Sequence, residues 1–219
     1  MKRSLKETVA RLLILVIGLT IAHFGVTLFL LAELGADPFN VLIQGLFQTI
    51  AKVTGWEFLT HGYTHMCICF LIIIILLIVD KTYIKMGTLI CMLIGGPIID
   101  IFTGMLQGTI HSGNPFILRV LTVMVGCIIL SFGMTIVMES DAGTGPNDLV
   151  AIAISDKLHT PFGMTRTVTD ISFIVAGWIM GGIFGIGTVI CAFLVGNIAE
   201  RFLPFQRNWI SKVIQNIQE

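Results

Sequence analysis

The chain has 219 residues, 55% hydrophobic and 12% charged, with 13 Lys+Arg against 13 Asp+Glu and a mean hydropathy of +0.95. About a quarter of a soluble domain is charged, so this sequence cannot cover a water-facing surface, and its zero net charge argues against nucleic acid as a partner. An integral membrane protein remains, and the lipid bilayer is its first partner.

Leu12 to Leu31, Met86 to Ile99 and Val120 to Met138 contain no Asp, Glu, Lys or Arg. Such runs approach the roughly 20 residues that cross a hydrocarbon core. Unpaired backbone groups are not tolerated in lipid, and continuous apolar runs lack the alternation of a barrel, so the fold is all-α and polytopic. A single membrane domain spans residues 1–219. The basic start (Lys2, Arg3, Lys6) resembles the n-region of a secretory signal, but the first apolar segment has an internal counterpart and so belongs to the fold. Positive charge there predicts a cytoplasmic N-terminus.

The counterpart emerges on shifting the sequence by 108 positions. Arg11 then meets Arg119, Gly18 meets Gly126, Phe24 meets Phe132, Gly25 meets Gly133, Gly35 meets Gly143 and Pro38 meets Pro146. Beyond the loop carrying Trp56 to His61 the shift becomes 100, pairing Gly87-Thr88 with Gly187-Thr188, Phe102 with Phe202 and Asp100 with Glu200. Two tandem repeats are expected, about 11–106 and about 119–203, followed by a cytoplasmic tail, 204–219.

Each half reads as a long helix, a Gly/Pro turn, a short helix, and two further helices. The turns are GADPFNVL (35–42) and GTGPNDLV (143–150), and Pro38 and Pro146 mark the first positions of the short helices. PFNVLIQGLFQTIAK and PNDLVAIAISDKL reach roughly 20 Å at 1.5 Å per residue, against a core near 30 Å. Three transmembrane helices plus a short, re-entrant helix per repeat follow; eight spans in parallel repeats are the alternative. The charge rule does not choose: re-entrant helices put Lys52 and Arg119 outside and crossing helices put Lys81 and Lys85 outside, each leaving eleven of the thirteen basic residues inside.

Short helices in matching positions point to a transporter's binding site, since their N-termini offer free N–H groups and a positive dipole end. Gly35, Asp37, Pro38, Asn40, Gly143, Gly145, Pro146, Asn147 and Asp148 are the candidate substrate-binding residues. The plain alternative is that a Gly-Pro-Asn-Asp cluster is a loop.

Gly-x-Gly-Pro-x-Asp before a short helix, followed by Gly-Thr and then Gly-x-x-x-acid, resembles the YczE/YyaS/YitT group of bacterial integral membrane proteins over nearly the whole chain. The second copy carries the pattern as Gly143, Gly145, Pro146, Asp148, Gly187, Thr188, Gly196 and Glu200; the first departs from it, with Asp37 for the second Gly and Asn40 for the acid. The resemblance implies a multi-pass protein of the bacterial plasma membrane, associated with transport.

Arg166 and Asp170 lie four apart and share a helix face, as an interfacial salt bridge or, with Asp100 and Glu200, as ion-coupling groups. His61 and His65 have the spacing of half a metal site, but nothing nearby completes it, so no metal is expected. The five cysteines lack C-x-x-C spacing and read as packing residues. Cofactors are not indicated, no Gly-x-x-x-x-Gly-Lys signature is present, and no nucleophile-base pair suggests an enzyme. A secondary transporter of a small polar or anionic solute is therefore expected, with a non-transporting scaffold that docks a partner protein as the alternative; a homo-oligomer is compatible with both.

Overall fold

The computed structural model describes residues 4–35, 37–55 and 61–218, the side chains of 61–63 and 218 excepted. Its helices are α1 (Leu5–Ala32), α2 (Pro38–Thr54), α3 (His61–Asp80), α4 (Met86–Leu106), α5 (Phe116–Glu139), α6 (Pro146–Leu158), α7 (Phe162–Ile179) and α8 (Ile186–Gln218), with one 3-10 turn at Lys81–Tyr83. No strand occurs among the described residues.

α1 and α5 form the centre. About half of their apolar windows is buried, 56% and 50%, against 17% for α3 and 11% for α4, which turn Ile, Leu and Met side chains outward. The two central helices are antiparallel, because neighbours descend on one as they ascend on the other: Arg11 binds Ser140, Gly18 faces Gly133, Gly25 faces Gly126, and Arg119 binds Ala32. Glycine allows this approach. A Cβ on Gly25 would lie 2.7 Å from the carbonyl oxygen of Gly126, and one on Gly133 would lie 2.6 Å from that of Gly18.

α4 runs parallel to α1, with Gly87 beside Leu15, Gly95 beside His23 and the rings of Phe24 and Phe102 edge to face at 5.1 Å. α8 meets α5 through a similar contact, Phe132 with Phe202 at 5.4 Å. Two backbone bonds tie the chain after each central helix to a later one: Gly187 N–H donates to the Leu34 carbonyl at 2.8 Å and Gly87 N–H to the Ala142 carbonyl at 2.9 Å. Gly35 and Gly143 make these crossings possible, with φ of +114° and +142° and no room for a Cβ against Thr188 and the backbone of Thr88 respectively.

Among the described residues, five helices are long and apolar enough to cross a membrane: α1, α3 from Thr64, α4, α5 and α8. α7, expected as a sixth span, falls outside that set. Its polar residues Thr165, Arg166, Thr169 and Asp170 lower its hydropathy, but all four are buried in the protein. α6 has the expected 13 residues, whereas α2 runs on to 17, ended by Gly55 in the left-handed region.

The expected tail is helical over 204–218, continuing α8. Ile210 and Ile214 pack on Ile14 and Ile136, and Arg207 Nη2 reaches Glu139 at 3.1 Å. Cys69, Cys91, Cys127 and Cys191 are buried as packing residues and Cys67 is exposed. The loop from Trp56 and the side chain of His61 lie outside the described residues; among those described, no group of three His, Cys, Asp or Glu could hold a metal.

Candidate functional site in a cavity between the short helices

The starts of α2 and α6 meet at one cavity of about 80 Å³, walled by the middle of α1 and α5 and by parts of α3, α4 and α7. Of the sequence candidates, Asp37, Asn40, Gly145, Pro146, Asn147, Asp148 and Arg166 line it. Pro38 is buried behind it at the first turn of α2, and Gly35 and Gly143 shape the chain that leads to it. Asp100 and Glu200 are exposed on α4 and α8, away from the cavity, with Glu200 packed over Gly163.

Asp37 is the N-cap of α2. Its carboxylate accepts from the Asn40 N–H at 3.3 Å and from Asn40 Nδ2 at 2.6 Å, so it occupies donors that an anion would need. α6 has no side-chain cap; the N–H groups of Asp148 and Leu149 both go to the Gly145 carbonyl at 3.0 Å. Asn147 Nδ2 donates to Asp148 Oδ1 at 2.9 Å. The free main-chain donors expected here are therefore largely taken.

Arg166 is 5% exposed and joins two carboxylates. Its Nε donates to Asp170 Oδ2 at 3.0 Å, and its Nη1 pairs with Asp148 Oδ1 from α6. The Arg166–Asp170 pair is thus internal, not interfacial. Asp170 sits behind the guanidinium at 1% exposure, while Asp37, 8% exposed, is hydrogen-bonded to Asn40. Two carboxylates hold the guanidinium, and a third, Asp37, lines the same cavity.

Two histidines also line the cavity: His65, which the sequence offers only as half of a metal site, and His23, which the sequence reading does not single out. His23, midway along α1, uses Nδ1 on the Leu19 carbonyl at 2.9 Å, leaving Nε2 over Gly95. His65 stands edge to face with Phe39 at 5.4 Å, its ring 3.7 Å from Cys69 Sγ. A lone ionisable residue inside an apolar run was the available signal for His23.

The fold and this polar interior define an all-helical polytopic membrane protein. Residues 9–204 match the model of a family of unknown function, DUF6198, and the chain belongs to that family. It is similar to the uncharacterised membrane protein YczE of Bacillus subtilis, 27% identical over 201 residues (91% of this chain, 88% of the relative), and to YyaS of the same organism, 28% identical over 198 residues (90% and 94%). An uncharacterised protein of Haemophilus influenzae is 26% identical over 193 residues, 87% of this chain and 82% of its own. The resemblance to the YczE-like group is thereby borne out. No solved structure matches.

Proposed function

We propose that this membrane protein is a secondary transporter of a small polar solute, built from two inverted repeats whose short helices meet at the binding cavity. One observation carries the reading: the beginnings of α2 and α6, 108 positions apart in the sequence, line the same interior space. Paired short helices that start at a common polar cavity are an arrangement that alternating-access transporters use.

The inverted repeat is supported by contacts that recur at the sequence offsets. Arg11 donates to the Ser140 carbonyl at 3.0 Å, and Arg119 to the Ala32 carbonyl at 2.6 Å. The Gly87–Ala142 and Gly187–Leu34 bonds, and the Phe24–Phe102 and Phe132–Phe202 pairs, follow the same rule. Antiparallel α1 and α5 require an odd number of crossings per half, which a re-entrant α2 supplies and four full spans do not. In this reading α1, α3, α4, α5, α7 and α8 cross, and both termini lie in the cytoplasm of a bacterial plasma membrane.

Charge sharpens the solute class. With Asp37 and Asp148 on the wall, Asp170 behind, and Arg166 the one fixed cation among the described lining residues, a cationic or neutral polar solute is favoured over an anion. The test is a cysteine at Asn147 in a background lacking the five native ones, labelled in right-side-out and inside-out vesicles. Alternating access predicts labelling from both faces. A scaffold that merely docks a partner predicts a cavity closed to both, and that result would end the transporter reading.

A further inference from the structure

We propose that His23 is the proton-carrying group of this site, so that the transporter couples its solute to protons through an imidazole on α1. The inference rests on the transporter reading above. Nδ1 of His23 lies 2.9 Å from the Leu19 carbonyl, a contact only an N–H can make favourably, so the neutral ring carries its hydrogen on Nδ1 and a lone pair on Nε2. No described residue donates to Nε2. The ring itself lines the polar cavity, and Gly95 leaves the hollow it occupies: a Cβ there would lie 2.7 Å from Nε2.

A histidine serving only to pack α1 on α4 has no need of a polar wall or an open ring nitrogen; Leu or Phe would fill the hollow over Gly95 without burying a basic atom. The groups facing the cavity with His23 are Asp37 from α2, His65 and Cys69 from α3, Cys91 from α4, Asp148 from α6 and Arg166 from α7. α5 contributes Leu130, Met134 and Val137, which do not titrate, and among the described residues α8 contributes no lining residue. Asp37, Asp148 and Asp170 against the single guanidinium of Arg166 leave net negative charge around the cavity, which a proton on Nε2 reduces. The step is simple: Nε2 takes a proton from water entering on one face, the ring becomes imidazolium, and the same proton returns to water on the other face.

The experiment uses the full chain with 15N-labelled histidine in lipid nanodiscs, titrated from about pH 5 to pH 8, the range over which histidine ordinarily changes charge. The His23 resonance is identified by its loss in His23→Gln, or, if that variant does not fold, by replacing His61, His65, His111 and His159 and leaving His23 alone. Conversion of its Nε2 signal from the unprotonated to the protonated position is expected. A signal that stays unprotonated throughout overturns the assignment. Labelling of a cysteine at Asn147 from each face, in the same lipid, separates the two failures. Two-sided labelling with a silent His23 removes the proton assignment and leaves the transporter, whereas labelling from neither face removes both.

Discussion

Arg166 and Asp170, one turn apart on α7, are joined inside the protein by an Nε–H···O bond of 3.0 Å, and the same guanidinium holds Asp148 of α6. The Arg166–Asp148 bridge fastens α6 to α7 at the cavity wall, and Asp170 holds the guanidinium in place for it. Arg166→Met would leave two carboxylates facing each other without a cation, which costs about 3–5 kcal/mol when a buried pair loses one partner. Arg166→Lys should recover only part of this, because one ammonium cannot reproduce two directed bonds from a planar fork. Thermal unfolding in detergent of the two variants against the native chain measures both, and equal stability of all three would mean that the bridge does not hold α6.

Asp37 allows charge and fold to be separated. Asn serves as an N-cap about as well as Asp, so Asp37→Asn should keep α2 capped and unfold within about 0.5 kcal/mol of the native chain, while Asp37→Ala should lose about 1 kcal/mol. If Asp37 is instead the anchor for a cationic solute, both variants lose binding alike. Stability tracks the cap and binding tracks the charge. A binding loss confined to Asp37→Ala would assign Asp37 to structure alone.

Much of this was legible because it is written in covalent geometry. Proline at the first helical position and glycine at a positive φ can be read from residue type, so the starts of α2 and α6 and the turns at Gly35 and Gly143 were expected where they stand. Gly18 and Gly25, and Gly126 and Gly133, stand seven residues apart, a small-residue spacing that suits close helix packing and serves it between α1 and α5. What could not be read depends on which side chains meet. Asp148 and Arg166 stand on different helices, and no periodicity links them; without that contact the site looked like helix N-termini waiting for an anion. His23 was passed over because an apolar run was judged by its lack of Asp, Glu, Lys and Arg. Residues 204–218 read as a tail on polarity, although Ile210 and Ile214 at i, i+4 form one apolar stripe against α1.

The glycines between the central helices differ sharply from Gly96 on the open face of α4. Gly25→Ala would force a methyl to within 2.6 Å of the Leu130 backbone nitrogen, and overpacking of this kind costs about 1–3 kcal/mol. Gly96→Ala meets nothing within 4 Å and replaces a weak helix former with a strong one. The first should lower the melting temperature and the second should leave it unchanged or raise it. Equal loss in both would show that α1 and α5 do not depend on backbone contact.

Membrane topology separates the inverted from the parallel repeat with two exposed positions. Thr82 follows α3, and Ser112 lies between α4 and α5. If α2 turns back within the membrane, single cysteines place Thr82 on the cytoplasmic face and Ser112 on the opposite one. If α2 crosses, both assignments reverse. An impermeant thiol reagent applied to intact cells therefore labels Ser112→Cys and spares Thr82→Cys in the inverted arrangement, with the pattern exchanged on sealed inside-out vesicles. The reverse labelling would make α1 and α5 run in the same direction across the bilayer, which is incompatible with an Arg11–Ser140 contact at one end and an Arg119–Ala32 contact at the other. The topology experiment thus tests the packing of the central helices as well as the repeat built on them.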